Sequence, residues 1–133
     1  MMSGEEWLTK LSPKEWISAA LGELSRAEAA YARHDARAGI AGCKRAAGMA
    51  LNAALSVEPN EAWGRTYVEH VEALAKEASV PEAVRASCKV VLEAKPQTST
   101  LATLHTKSGD TKVVEAARDV IAHALYVVKK HEA

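Results

Sequence analysis

Apolar residues recur every three to four positions along most of this chain, the spacing that lines one face of a helix. Trp16, Ile17, Ala20, Leu21, Leu24, Ala27 and Tyr31 form the first such stripe. It begins just after Ser12-Pro13, where proline's fixed φ suits a first turn, so the spacing predicts a helix from 13 to about 32. Ser12 with Glu15 has the Ser-x-x-Glu pattern in which two side chains satisfy each other's backbone donors, and Ser3 with Glu6 and Ser79 with Glu82 repeat it. Three helix starts are thereby marked, the first opening a short N-terminal helix.

A turn at Arg33-His34-Asp35, with Asp35 as cap, leads into a second helix that must end before Glu58-Pro59, because proline disfavours helical geometry in its predecessor. Within it, residues 43–55 are so rich in alanine and glycine that neighbours can pack on nearly every side, and this segment is read as the central helix. Asn60 is the expected cap of a third helix, with Trp63, Tyr67, Val68, Val71, Leu74, Ala75 and Ala78 as its stripe and Ser79 at its end. A fourth, 80–94, buries Val80, Val84, Cys88 and Val91 and stops before Pro96. Residues 96–110 read as one long polar connection, a natural place for a lid. A last helix from 111 to about 130 turns Val113, Val114, Ala117, Val120, Ile121, Ala124, Leu125 and Val128 to the core. No strand pattern is left over, and the spacing of a tetratricopeptide repeat is absent. The expected fold is all-α: one domain over 1–133, an antiparallel up-and-down bundle of four long helices with a short N-terminal helix.

Composition narrows the roles. Seventeen basic and seventeen acidic residues cancel, so no global field draws a polyanion. The N-terminus has neither the basic nor the apolar region of a signal peptide, and no apolar run reaches the length of a membrane span. Two cysteines, Cys43 and Cys88, fall in apolar helical stretches as buried thiols do, which fits a reducing cytoplasm. Histidines and cysteines never fall into close metal-ligand spacing, so no metal and no cofactor is expected. Lys107-Ser108-Gly109-Asp110 before a helix has the look of an anion nest but reads as a turn and cap.

Trp16 and the helix ending near Tyr31, then Lys44-Arg45-Ala46-Ala47-Gly48-Met49-Ala50-Leu51-Asn52-Ala53-Ala54-Leu55, then Arg65-Thr66-Tyr67-Val68-Glu69-His70-Val71-Glu72-Ala73-Leu74, together resemble a HEPN domain over about 13–130. The resemblance implies a helical bundle, frequently homodimeric, in a family of ribonuclease toxins, antitoxin-paired proteins, nucleotide-binding modules and inactive interaction domains. Active members share an arginine followed by a polar residue and, a few positions on, a histidine. Arg118-Asp119-Val120-Ile121-Ala122-His123 matches that spelling. In such members the arginine stabilises the phosphate and the histidine moves a proton from the ribose 2′-hydroxyl or binds the phosphate, without a metal.

On a regular helix five residues turn through about 500°, leaving the two side chains about 140° apart. Arg118 and His123 therefore read as solvated edge residues, Asp119 and His123 as an i,i+4 pair, and His70 as a hydrogen-bonded boundary residue. Glu28 and Lys44 project into apolar arcs, with Glu28 set to pair with Arg37 or Lys44. The leading expectation is a non-enzymatic module that dimerises and binds a protein partner or a small nucleotide-like ligand near 96–110. The alternative is a ribonuclease with Arg118 and His123 brought together across a homodimer, with RNA as its ligand; a scaffold subunit without ligand is a third. Trp7 and Trp16 supply the apolar surface for the dimer.

Overall fold

The computed structural model of the protein describes residues 10–96 and 106–132, and among them every regular element is helical. These are α1 (Pro13–Ala32), α2 (Ala36–Val57), α3 (Tyr67–Lys76), α4 (Glu82–Glu93) and α5 (Thr106–Lys130), with a 3-10 turn at Glu61–Trp63 before α3. The capping box at α1 forms as expected: Ser12 N–H donates to Glu15 Oε1 at 2.8 Å and Glu15 N–H to Ser12 Oγ at 3.2 Å. Asp35 caps α2 by accepting from Ala38 N–H at 3.1 Å. The Ser3–Glu6 box and the short N-terminal helix lie outside the described residues.

Residue pairings give the direction of each helix. Tyr31 lies against Gly39, Ala27 against Gly42, and Glu23 pairs with Arg45 at 2.9 Å, so α1 and α2 run antiparallel. Lys14 pairs with Glu132 and Glu28 with Arg118, which sets α5 antiparallel to α1 and hence in the same sense as α2. Ser87 bonds Asp119, while Val84 shares a groove with His123, so α4 is antiparallel to α5. The chain leaving α2 doubles back: Tyr67, the first residue of α3, packs on Gly48, nine residues before the end of α2. From there α3 descends alongside α2, because His70 reaches back to Trp63 and Glu77 lies at the α2 C-terminal end of the groove with Glu58. The bundle therefore does not alternate strictly up and down, and three long helices with two shorter ones replace the four long helices expected.

The departure has a local cause. Instead of capping one continuous helix, Asn60 caps only the 3-10 turn, through Ala62 N–H. Gly64 then takes φ +72°, a conformation that a side chain would oppose, and Thr66 opens α3 with a second capping box to Glu69. Ser79 does not cap α4; its hydroxyl donates to Glu77, and Pro81 stands at the helix start. At the other end of the expected connection, the helix already begins at Thr106, ahead of the predicted Thr111. Residues 97–105, the middle of the expected lid, lie outside the described residues.

As expected, α2 is the central helix. Ala46, Ala47, Ala50 and Ala53 are wholly buried, and α2 contacts the other four helices. Leu51, Leu74, Val91 and Val120 are buried alongside them, each worth about 1.5–3 kcal/mol relative to exposure. The stripes hold with local exceptions: Leu21 is 49% exposed, Val68 42%, and Ala78 is exposed too. Trp16, expected to supply dimer surface, is buried within the single chain at 8% exposure, whereas Trp7 lies outside the described residues.

One buried group runs against the packing. The side-chain amide of Asn52 on α2 is 1% exposed and has no hydrogen-bond partner among the described residues. Burying an unmade amide costs about 1–3 kcal/mol, and asparagine is about 0.5 kcal/mol worse than alanine inside a helix. The cavity left by truncation costs about 1 kcal/mol in return. Asn52→Ala is therefore expected to raise stability by about 1 kcal/mol, read as a higher denaturant midpoint; a lower midpoint would show that the amide is satisfied in solution.

Candidate functional site

Because the 58–66 segment doubles back, the C-terminal end of α2 is left without a helix laid directly over one of its sides. The gap becomes a groove of about 940 Å³, within the range of small-molecule sites. Its walls are Ala54 and Glu58 of α2, the connection carrying Trp63, the end of α3 at Leu74 and Glu77, the turn into α4 from Ser79 to Val84, and one face of α5 from Asp119 to Lys130. Leu74, Val80, Val84 and Val127 make much of its interior apolar.

The polar groups are held in place. His70 is fully buried beneath Trp63, and its Nδ1 lies 2.9 Å from the Trp63 carbonyl. A carbonyl only accepts, so Nδ1 carries the proton and fixes the turn that presents Trp63 to the groove. Burial holds His70 below the usual histidine range, against the opposing pull of the Trp63 carbonyl and Glu69. This is the hydrogen-bonded structural role expected for it, although its burial is complete rather than at a boundary. Asp119 accepts from Ser87 Oγ at 2.9 Å, and Glu77 from Ser79 Oγ at 3.0 Å. Glu58 receives His131 Nε2 at 2.7 Å and Lys130 Nζ at 3.4 Å. The His131 hydrogen bond is the chief reason its carboxyl lies below the usual range.

His123 is half-buried in the groove wall, its ring 6.4 Å from that of Tyr126. Burial, with help from Lys130 and against Glu58, lowers its pKa, so the imidazole is neutral near pH 7. Arg118 is elsewhere: it points to α1 and pairs with Glu28 at 3.3 Å on an exposed face. A single chain thus does not bring Arg118 and His123 together. The expected pairs Asp119–His123 and Glu28 with Arg37 or Lys44 are replaced by Ser87–Asp119 and Glu28–Arg118. The cause is the tertiary approach of α4 and α1 to opposite sides of α5.

Both serine hydroxyls beside the groove's acids donate to carboxylates, Ser79 to Glu77 and Ser87 to Asp119. Burial pushes the Cys88 thiol up to about 12, which keeps it protonated and inert. Among the described residues, no three His, Cys, Asp or Glu side chains are placed to hold a metal ion, and no helix is long and apolar enough to cross a membrane. Sequence reasoning named His123 and Asp119 for other roles and did not foresee the groove, whose polar lining comes from α2, the 58–66 connection, the end of α3, the turn before α4 and α5. Comparison with known proteins yields no match among family models, curated proteins or solved structures.

Proposed function

We propose that this chain is a non-catalytic, HEPN-like helical module that binds a small ligand in the groove between α2, α3, α4 and α5. The groove itself carries this reading: it has small-molecule volume, an apolar interior, two aromatic side chains at Trp63 and Tyr126, and polar groups fixed by their own hydrogen bonds. The site replaces 96–110 as the place of binding. A nucleotide is disfavoured there, because its phosphates would face Glu77 and Asp119, and Lys130, the one cation among the described residues lining the groove, is already paired with Glu58. Pairing of two copies belongs to the same proposal and would draw on exposed aliphatic surface such as Leu21 and Val68. Cys43 and Cys88, both buried in the helical core as small apolar side chains, support work in the cytoplasm.

The competing ribonuclease needs Arg118 from one copy beside His123 of another. In the single chain Arg118 is engaged by Glu28, and His123 faces the far side of α5. The purified protein is therefore expected to leave single-stranded and structured RNA intact. The control is an Arg118→Ala, His123→Ala double variant incubated in parallel. Cleavage by the parent that vanishes in the variant would overturn the binding reading and establish the nuclease.

A further inference from the structure

The groove's charges stand at its two ends. Glu58 and Glu77 mark the α2 C-terminal end, where Lys130 Nζ lies 3.4 Å from Glu58 and 5.4 Å from the Tyr126 ring centre. Asp119 stands at the other end, about three helical turns from Lys130 along α5, and accepts from Ser87 Oγ. Between these ends α5 brings His123 into the wall, one turn beyond Asp119 and one before Tyr126 and Val127. The ring is half-buried, and among the described residues no hydrogen bond reaches either of its nitrogens. Held neutral near pH 7 chiefly by burial, the imidazole carries one N–H donor and one bare acceptor nitrogen, and the chain leaves both open.

We propose that the groove binds an uncharged aromatic alcohol, its ring against Trp63, Tyr126 and the aliphatic interior and its hydroxyl on the His123 imidazole. This inference rests on the groove being the binding site and names what the site takes. Leu74, Val80, Val84 and Val127 call for an apolar body, and two rings offered by separate elements, Trp63 on the α2–α3 connection and Tyr126 on α5, call for an aromatic one. A hydroxyl both donates and accepts, so it matches whichever nitrogen His123 presents. Charge is not called for. An anion would meet carboxylates at both ends, and a cation finds no two unmatched carboxylates within reach of one head group, because Asp119 and Glu77 stand apart. Glu58 and Asp119 are exposed and keep their water, so an uncharged ligand entering the interior strips no ion of its hydration.

NMR titration of the labelled full chain with four probes of one size tests the assignment: benzyl alcohol, its isomer anisole, benzylamine and benzoate. Anisole keeps the ring and the oxygen but has no O–H. In the parent, benzyl alcohol should bind more tightly than either ion and should shift the His123 ring-nitrogen signals further than anisole does. His123→Phe, its fold checked by thermal unfolding, should weaken benzyl alcohol by about three- to tenfold and leave anisole unchanged. His123→Gln, which retains a donor and an acceptor, should restore most of the alcohol's affinity. An ion bound more tightly than the alcohol, ring-nitrogen signals that respond alike to alcohol and anisole, or a His123→Phe variant that ranks the two as the parent does would each overturn the alcohol assignment while the groove stood. Shifts at the groove residues from none of the four probes would overturn the groove reading and this inference with it.

Discussion

Gly48→Ala is expected to lower stability by about 2–3 kcal/mol, although alanine is about 1 kcal/mol the better helix former. Gly48 sits in the middle of α2 where the first residue of α3 crosses it, and a methyl group there would lie 2.5 Å from Tyr67 Cα. A clash with the tip of a flexible side chain could be relieved by a rotamer change. A clash with backbone requires α3 itself to move, and α3 carries the Leu74 and Glu77 wall of the groove. The steric term therefore outweighs propensity. Urea denaturation of the parent and the variant checks this: the midpoint should fall with little change in slope, and a midpoint that rises would show that the α2–α3 approach is looser than described.

Stability should also fall as the pH drops from about 6.5 toward 5, through His70. Its side chain is fully buried, and burial favours the neutral form, so its folded pKa lies below that of the unfolded chain. Above about 6.5 both states hold the ring neutral and nothing is lost. Between the unfolded and folded values the unfolded chain binds the extra proton, and stability declines by up to about 1.4 kcal/mol per pH unit. His123, lowered by burial in the same direction, adds to the slope. Carboxylates held low, such as Glu58 and Glu23, lose their contribution only at more acidic pH, below the ordinary range of about 4.3, so the two effects separate. Denaturation midpoints at pH 7.5, 6.5 and 5.5 should show the decline. It should shrink in His70→Asn, whose amide can still donate to the Trp63 carbonyl but does not titrate; an unchanged slope in that variant would remove His70 as its source.

Much of the helical framework was legible because local signals agreed with packing. The Ser12 box, the Asp35 cap and Pro59 bound α1 and α2 at the residues expected, and the alanine run of α2 told of close neighbours on several sides. The break before α3 was also written in the chain, as Gly64 and the Thr66-x-x-Glu69 spacing, but the apolar period running from Trp63 to Leu74 concealed it. Ser79 shows the opposite failure: the spelling of a box was present, and Glu77 took the hydroxyl instead.

The groove was not legible for a different reason. It exists because a nine-residue segment doubles back and leaves the end of α2 uncovered, and periodicity within single helices carries no information about helix direction. Arg118 and His123 illustrate the same limit. Their spacing on α5 foretold that they would diverge, yet only the approach of α1 to one side and α4 to the other decided that Arg118 would meet Glu28 and His123 would face a cavity.

The central claim is that this cavity is where the protein binds its ligand. An amide chemical-shift map of the labelled protein, recorded against a mixed set of small amines, alcohols and acids, tests it most directly. Shifts gathered at Trp63, Val84, His123 and Tyr126, with the Arg118–Glu28 face unmoved, are the predicted result. Shifts that gather instead around Arg118 and Glu28, or that appear nowhere at millimolar fragment, would contradict it.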